Sequence, residues 1–151
     1  MKLVIYVVAS CVVVIGIVVI VFSLASRKQP ELGLQGGQLQ PCPVTPNCVC
    51  SEYPGEPAFI DPHHYTATAE QAWEKLKQVV SETGGSVITE EAGYLRVVYE
   101  TPLLHFMDDV EFRLDSHTQR IHVRSASRVG KSDLGANRER VETIRRALNL
   151  S

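Results

Sequence analysis

Three groups of side chains in this chain could do chemistry. The densest is the stretch from Ile121 to Arg140, IHVRSASRVGKSDLGANRER, which sets Arg124, Arg128, Lys131, Arg138 and Arg140 among serines and glycines. So few apolar residues make poor core material, and a structured loop with a task explains the composition better. Guanidinium groups from Arg124 and Arg128, hydroxyls from Ser125 and Ser127, and backbone amides around Gly130 and Gly135 could cradle an anion. A phosphate, carboxylate or sulfate at the amino end of a following helix would gain from its free N–H groups and dipole. The competing use is internal. Arg124 can pair with Glu111 across strands and Arg128 with Asp108 or Asp109, holding the loop at about 0.2–1 kcal/mol per exposed pair.

The second group is Asp108, Asp109 and Glu111, with His105 close by. Acid–base work needs one carboxyl with a raised pKa inside a cleft. Neighbouring arginines push the other way, so no catalytic residue is assigned. A hydrolase using these acids, with arginines as anion stabilisers, is the alternative reading.

The third group is Cys42, Cys48 and Cys50, followed by His63 and His64. These are zinc-ligand types, but the spacing lacks the paired C-x₂-C of structural zinc sites. A disulfide explains the cysteines more simply in a small exported domain. A Cys42–Cys48 bridge would close a tight loop over the turn that Pro41, Pro43 and Pro46 impose, leaving Cys50 as a free thiol. Cys48-Val49-Cys50 is also too closely spaced for a typical catalytic dithiol. No G-x-S-x-G, phosphate-binding loop, H-E-x-x-H or G-x-G-x-x-G occurs. A net charge of -2 makes no bulk case for nucleic acid. No metal or cofactor is expected.

The elements that position these groups follow from periodicity. Leu3 to Leu24 carries no charge. At about 1.5 Å per residue it makes roughly 33 Å of helix, against a hydrocarbon core of about 30 Å. It is longer than a signal-peptide core, and apolar sequence continues well past the lipobox-like Val8-Ala9-Ser10-Cys11. Residues 1–26 therefore read as an uncleaved, single-pass membrane anchor. Lys2 with the amino terminus balances Arg27 and Lys28, and the cysteine cluster tips the soluble domain to the extracytoplasmic, periplasmic side. Residues 27–41, rich in Gly, Gln and Pro, read as a flexible linker.

Residues 42–151 read as one domain. Thr68 and Gln71 have capping-box spacing. Ala69, Trp73, Leu76 and Val80 make one apolar stripe, and Gly84-Gly85 ends that helix. Four strands follow, at Ser86–Thr89, Tyr94–Glu100, Asp109–Leu114 and Arg120–Ser125, each alternating with period two as in an antiparallel sheet with one buried face. If Ser116–Gln119 form the turn, Asp115 faces Arg120, Leu114 faces Ile121, Phe112 faces Val123 and Glu111 faces Arg124. A slip of one residue would turn one apolar set outward. A last helix begins near Asn137 with Val141, Ile144 and Leu148 inward. The fold class is α+β: an N-terminal transmembrane helix, then about four antiparallel strands with two flanking helices.

At this point the blocks Pro41-Cys42-Pro43, Pro46-Asn47-Cys48-Val49, Asp108-Asp109-Val110-Glu111-Phe112, Arg124-Ser125-Ala126-Ser127-Arg128-Val129-Gly130, Asp133-x-Gly135 and Asn137-Arg138-x-Arg140-Val141-Glu142 take on a joint meaning. In this order, over roughly Pro41 to Leu148, they resemble the bacterial and plastid family known as domain of unknown function 1499. The resemblance implies that Cys42, Cys48, Asp108, Asp109, Glu111, Arg124, Ser125, Ser127, Arg128, Gly130, Asp133, Gly135, Asn137 and Arg138 are signature residues. It implies no activity. The chain departs from the pattern at Cys50, where serine is more usual. The expectation is a membrane-anchored binding module. Its Arg124–Arg138 loop, with Asp108, Asp109, Glu111 and Asn137, would meet an anionic ligand, a lipid headgroup or an envelope protein.

Overall fold

The computed structural model describes residues 1–150 of the 151-residue chain. The amino-terminal apolar run forms one helix, α1 (Lys2–Ser26), long and apolar enough to cross a membrane. Nearly all of its surface is exposed; only Val19 and Ser23 are half-buried and Ser26 fully buried. Its length and composition are those of a membrane span or of a signal sequence.

Residues 27–41 depart from the expectation of a flexible linker. Leu34–Gln35 (β1) and Gln38–Leu39 (β2) pair as a short antiparallel hairpin. Gly36 and Gly37 take the left-handed conformation that a two-residue turn requires. Leu39 is completely buried, packed with Cys50 and Tyr94. Composition suggested a tether because Gly and Gln dominate, yet the two glycines make the turn and a single leucine anchors it.

The sheet is larger than the four strands expected. Cys48–Cys50 (β3) and His63–His64 (β4) both pair with the last strand, outside the periodic run. Ser86–Glu91 (β5), Tyr94–Glu100 (β6), Met107–Asp115 (β7) and Arg120–Ser127 (β8) form the body, in the order β3-β8-β7-β6-β5. Every strand pair is antiparallel, and the β7–β8 register is the expected one, from Asp115 opposite Arg120 to Glu111 opposite Arg124.

Helix α2 (Ala69–Glu82) starts with the capping box: the Gln71 amide donates to Thr68 Oγ1 and the Thr68 amide to Gln71 Oε1. It ends where Gly84, at φ 90°, lets the Gly85 amide reach the Val80 carbonyl. Helix α3 (Ala136–Leu150) closes the chain. Both helices cover one sheet face, where Leu95, Val97, Val110, Phe112, Ile121 and Val123 meet Trp73, Leu76, Val80, Val141, Ile144 and Leu148. The opposite face carries Tyr94, Arg96, Asp109, Glu111, Arg113, His122 and Arg124 by strand alternation. Segments 26–42 and 52–53, on either side of the loop into edge strand β3, cover this polar face, and most of its charged side chains lie buried beneath them.

If the hairpin is part of the domain, Leu39→Ala should lower its unfolding free energy by about 2–5 kcal/mol, the usual range for a buried leucine. Chemical denaturation of the full-length protein in detergent measures this. A tether would show no change.

Candidate functional site

The expected site residues come together, but mostly facing one another. Asp109 is 1% exposed and lies between two guanidinium groups. Arg96 donates to its Oδ1 from Nε at 3.1 Å and Nη2 at 2.8 Å. Arg128 donates from Nε to Oδ2 at 2.7 Å and from Nη2 to Oδ1 at 2.9 Å. Glu111, with no exposed surface, accepts from Arg124 Nη1 at 3.1 Å, from the Tyr94 hydroxyl at 2.8 Å and from the Gly33 amide at 3.1 Å. Burial, and then the Glu111 charge, push the Tyr94 phenol well above its ordinary pKa, so it stays a donor. Arg124 Nε is left buried with no partner.

A third set continues the layer. Glu52 takes two bonds from Arg113, at 2.6 and 3.1 Å, and lies 3.4 Å from His122 Nδ1. Burial lowers the His122 pKa, with Glu52 opposing and Arg113 adding to the effect. Burying one of these carboxylates alone would cost several kcal/mol. The network exists because each acid has a guanidinium within reach: Arg124 directly opposite Glu111, Arg96 on the neighbouring strand and Arg128 from just past β8 for Asp109, and Arg113 for Glu52.

On the helix side of the sheet, Asn137 is the hub. It is fully buried and accepts from Ser125 Oγ at 2.6 Å, and its two Nδ2 hydrogens are shared among Asp133 Oδ2 at 2.7 Å, the Asn47 carbonyl at 2.9 Å and Ser127 Oγ at 3.0 Å. Arg140 bridges this cluster to Asp108, with Nη2 2.5 Å from Oδ2, and lies over the Tyr99 ring at 5.1 Å.

The anion cradle expected at the amino end of the last helix is already filled. Asp133 accepts from the Gly135 amide at 3.0 Å and the Asn137 amide at 2.8 Å. Its burial works against ionisation, but these amides and the Asn137 side chain outweigh it and hold the carboxyl below the usual range. Arg124, Ser125, Ser127, Arg128, Asp108, Asp109, Glu111 and Asn137 are thus bonded within the chain. The internal pairs expected of Arg124 with Glu111 and of Arg128 with Asp109 are present and buried rather than exposed, while Asp108 is bonded by Arg140 instead.

Arg138 is the exception. It is exposed and gives one N–H to the Phe59 carbonyl at 2.8 Å, while a guanidinium carries five. It lines a cleft of about 690 Å³ between the cysteine loop, the 53–59 segment and the turn before α3. Cys42 and Cys48 form the expected disulfide, at an S–S distance of 1.99 Å, along one wall. Tyr53, Phe59 and the prolines at 41, 43, 46 and 57 supply apolar surface; Ser132, Asp133 and Glu56 supply polar atoms. Asp108, Asp109 and Glu111 do not line it. Cys50 contributes a buried thiol whose pKa burial pushes up, the opposite of an activated thiolate. His63 and His64 lie further along the same edge of β8, opposite Ile121 and Arg120.

Sequence reading missed Arg96, Arg113, Tyr94, Glu52 and Ser26 as members of the network. A signal for the first three was present. They stand on the strand face that alternation calls outward, and that face carries both signs of charge on neighbouring strands.

Arg128→Ala should leave Asp109 with one guanidinium and destabilise the domain by about 3–5 kcal/mol, as for a broken buried pair. Arg128→Lys, which keeps the charge but not the fork, should fall between it and wild type. Denaturation midpoints of the full-length protein check this, and an unchanged midpoint for the alanine variant contradicts the assignment.

Comparison with curated proteins yields no match. The model of the family described as "Protein of unknown function (DUF1499)" matches residues 38–148. That span begins inside the β1–β2 hairpin and takes in the cleft, nearly all of α3 and the buried networks apart from Ser26 and Gly33. The match covers well over half of the chain, and the chain belongs to this family.

Proposed function

We propose that this protein is a membrane-anchored, extracytoplasmic binding module whose recognition surface is the disulfide cleft. The observation that carries the reading is the contrast between the two charged regions. The buried arginines are matched by carboxylates, whereas Arg138 reaches a roomy, largely apolar cleft. Apolar walls with a few placed polar groups are the usual composition of a ligand site. A ligand or envelope partner with an apolar segment and one anionic group fits this chemistry, the anion meeting the guanidinium of Arg138.

Two further observations support the location. The ends of β7 and β8 that carry Met107 and Arg128 touch the end of α1, and the 128–135 loop runs from there to the cleft. The cleft therefore lies towards the anchor end of the domain. A disulfide persists in oxidising compartments, which favours the extracytoplasmic side.

The location is tested with a membrane-impermeant maleimide on intact cells, with denaturation after quenching to reach buried thiols. Cys42 and Cys48 should become reactive only after external reduction. Free thiols at both positions, labelled only after lysis, would put the domain in the cytoplasm. Binding is tested by photo-crosslinking from a benzophenone amino acid at Val44, a fully exposed residue on the cleft lip. A discrete adduct should form in cells, be lost with Arg138→Glu, and be absent when the probe sits at Gln78 on the outer face of α2. An adduct indifferent to Arg138, or none, overturns the cleft reading.

A further inference from the structure

The connection between β6 and β7 is a short apolar loop, Thr101-Pro102-Leu103-Leu104-His105-Phe106. Its base is tightly closed. The Thr101 amide donates to the Phe106 carbonyl at 2.9 Å, the Phe106 amide to Thr101 Oγ1 at 2.9 Å, and the His105 amide to the Thr101 carbonyl at 3.1 Å. Closing the base pushes the tip outward: Leu103 is 85% exposed and Leu104 38%. Two neighbouring leucines displayed on a rigid loop are an unfavourable use of surface in water.

The loop lies against α1. Ser23 Oγ donates to the His105 carbonyl at 3.4 Å, and Ser26 Oγ accepts from the Met107 amide at 3.2 Å. Val19, Ser23 and Ser26, spaced by four and three, share one helix face, and they are the α1 residues with reduced exposure. Arg128 fixes the same junction, donating from Nη1 to the Ser26 carbonyl at 3.1 Å. Ser23 still lies within the charge-free run that ends at Leu24, ahead of Arg27 and Lys28. A loop held at the level of Ser23 is held where the helix leaves the hydrocarbon.

We infer that the Thr101–Phe106 loop is a second membrane contact, with Leu103 and Leu104 seated at the boundary between lipid headgroups and acyl chains beside α1. This rests on α1 being the membrane anchor of the proposed function. Lipid is the occupant because the loop continues the apolar surface of that helix and bears no carboxylate, lysine or arginine; its one imidazole, His105, has Nδ1 2.6 Å from the Glu100 carboxylate at the loop's base. With α1 passing through the bilayer and the loop resting in its surface, the domain has two points of attachment and a fixed orientation.

The test uses the full-length protein in phosphatidylcholine vesicles whose acyl chains carry bromine either near the headgroup or near the chain end. Three variants, Leu103→Trp, Ile15→Trp and His117→Trp, are compared with wild type, in which the single Trp73 is buried; His117 is exposed in the turn at the far end of β7 from the loop. The Leu103→Trp variant should lose most of its added emission to the shallow bromines, and the Ile15→Trp variant to the deep ones. The His117→Trp variant should lose none. If Ile15→Trp is quenched while Leu103→Trp behaves like His117→Trp, the anchor stands and the loop contact is overturned. If none is quenched, α1 does not enter the bilayer, and the anchor reading and the inference fall together.

Discussion

Two carboxylates decide how this domain is built. Asp109 and Glu111 point away from the helices, on a sheet face that would ordinarily meet water, yet both are buried. An ionised carboxylate in such a place needs opposite charge and hydrogen bonds on most of its lone pairs. Strand pairing brings Arg96 and Arg124 into register on either side of Glu111, Arg128 comes from the end of β8 to Asp109, and Gly33 adds a backbone amide from the chain before the hairpin. The amino-terminal wrap and the arginine-rich stretch answer the same requirement from opposite ends of the chain.

The same network joins α1 to the rest of the domain. Arg128 has one side of its fork on Asp109 and the other on the carbonyls of Ser26 and Arg27, which are among the unpaired acceptors at the carboxyl end of a helix. A cation there is favoured by the helix dipole as well. One side chain therefore ties α1 to β7 and to the end of β8 through hydrogen bonds. Directional bonds to a charged group fix such a junction without an apolar interface.

What could be read in advance tracks how local the physics is. The β7–β8 register was legible because four alternating apolar residues admit only one pairing, and the α2 ends because capping and glycine termination need only neighbours in sequence. The disulfide was legible from three prolines and two cysteines. The hairpin at 34–39 was not, since its stability rests on Leu39 reaching Cys50 and Tyr94, a contact no periodicity announces. Strands β3 and β4, three and two residues long, are too short to alternate visibly. The arginine-rich stretch was the hardest case. Arginine beside serine and glycine looks the same whether it awaits a ligand or faces a carboxylate from another strand, and only the tertiary structure supplies the partner.

That ambiguity bears on how the family's signature should be understood. Most of the residues on which the resemblance rests, from Asp108 and Asp109 through Arg124 to Asn137, bond to one another across the sheet or across the strand–helix junction. Such a set constrains itself: losing any one member leaves a buried polar partner exposed to the full desolvation cost. Motifs of this kind describe architecture, and their charges say little about the ligand. The cleft draws on the same blocks from another side: Cys42, Cys48, Asp133, Gly135 and Arg138 line it beside prolines and aromatic rings. The disulfide and the Asp133 bonds hold its walls in place, and the exposed guanidinium of Arg138, with one bond to the Phe59 carbonyl, is the part of the signature that internal bonding accounts for least.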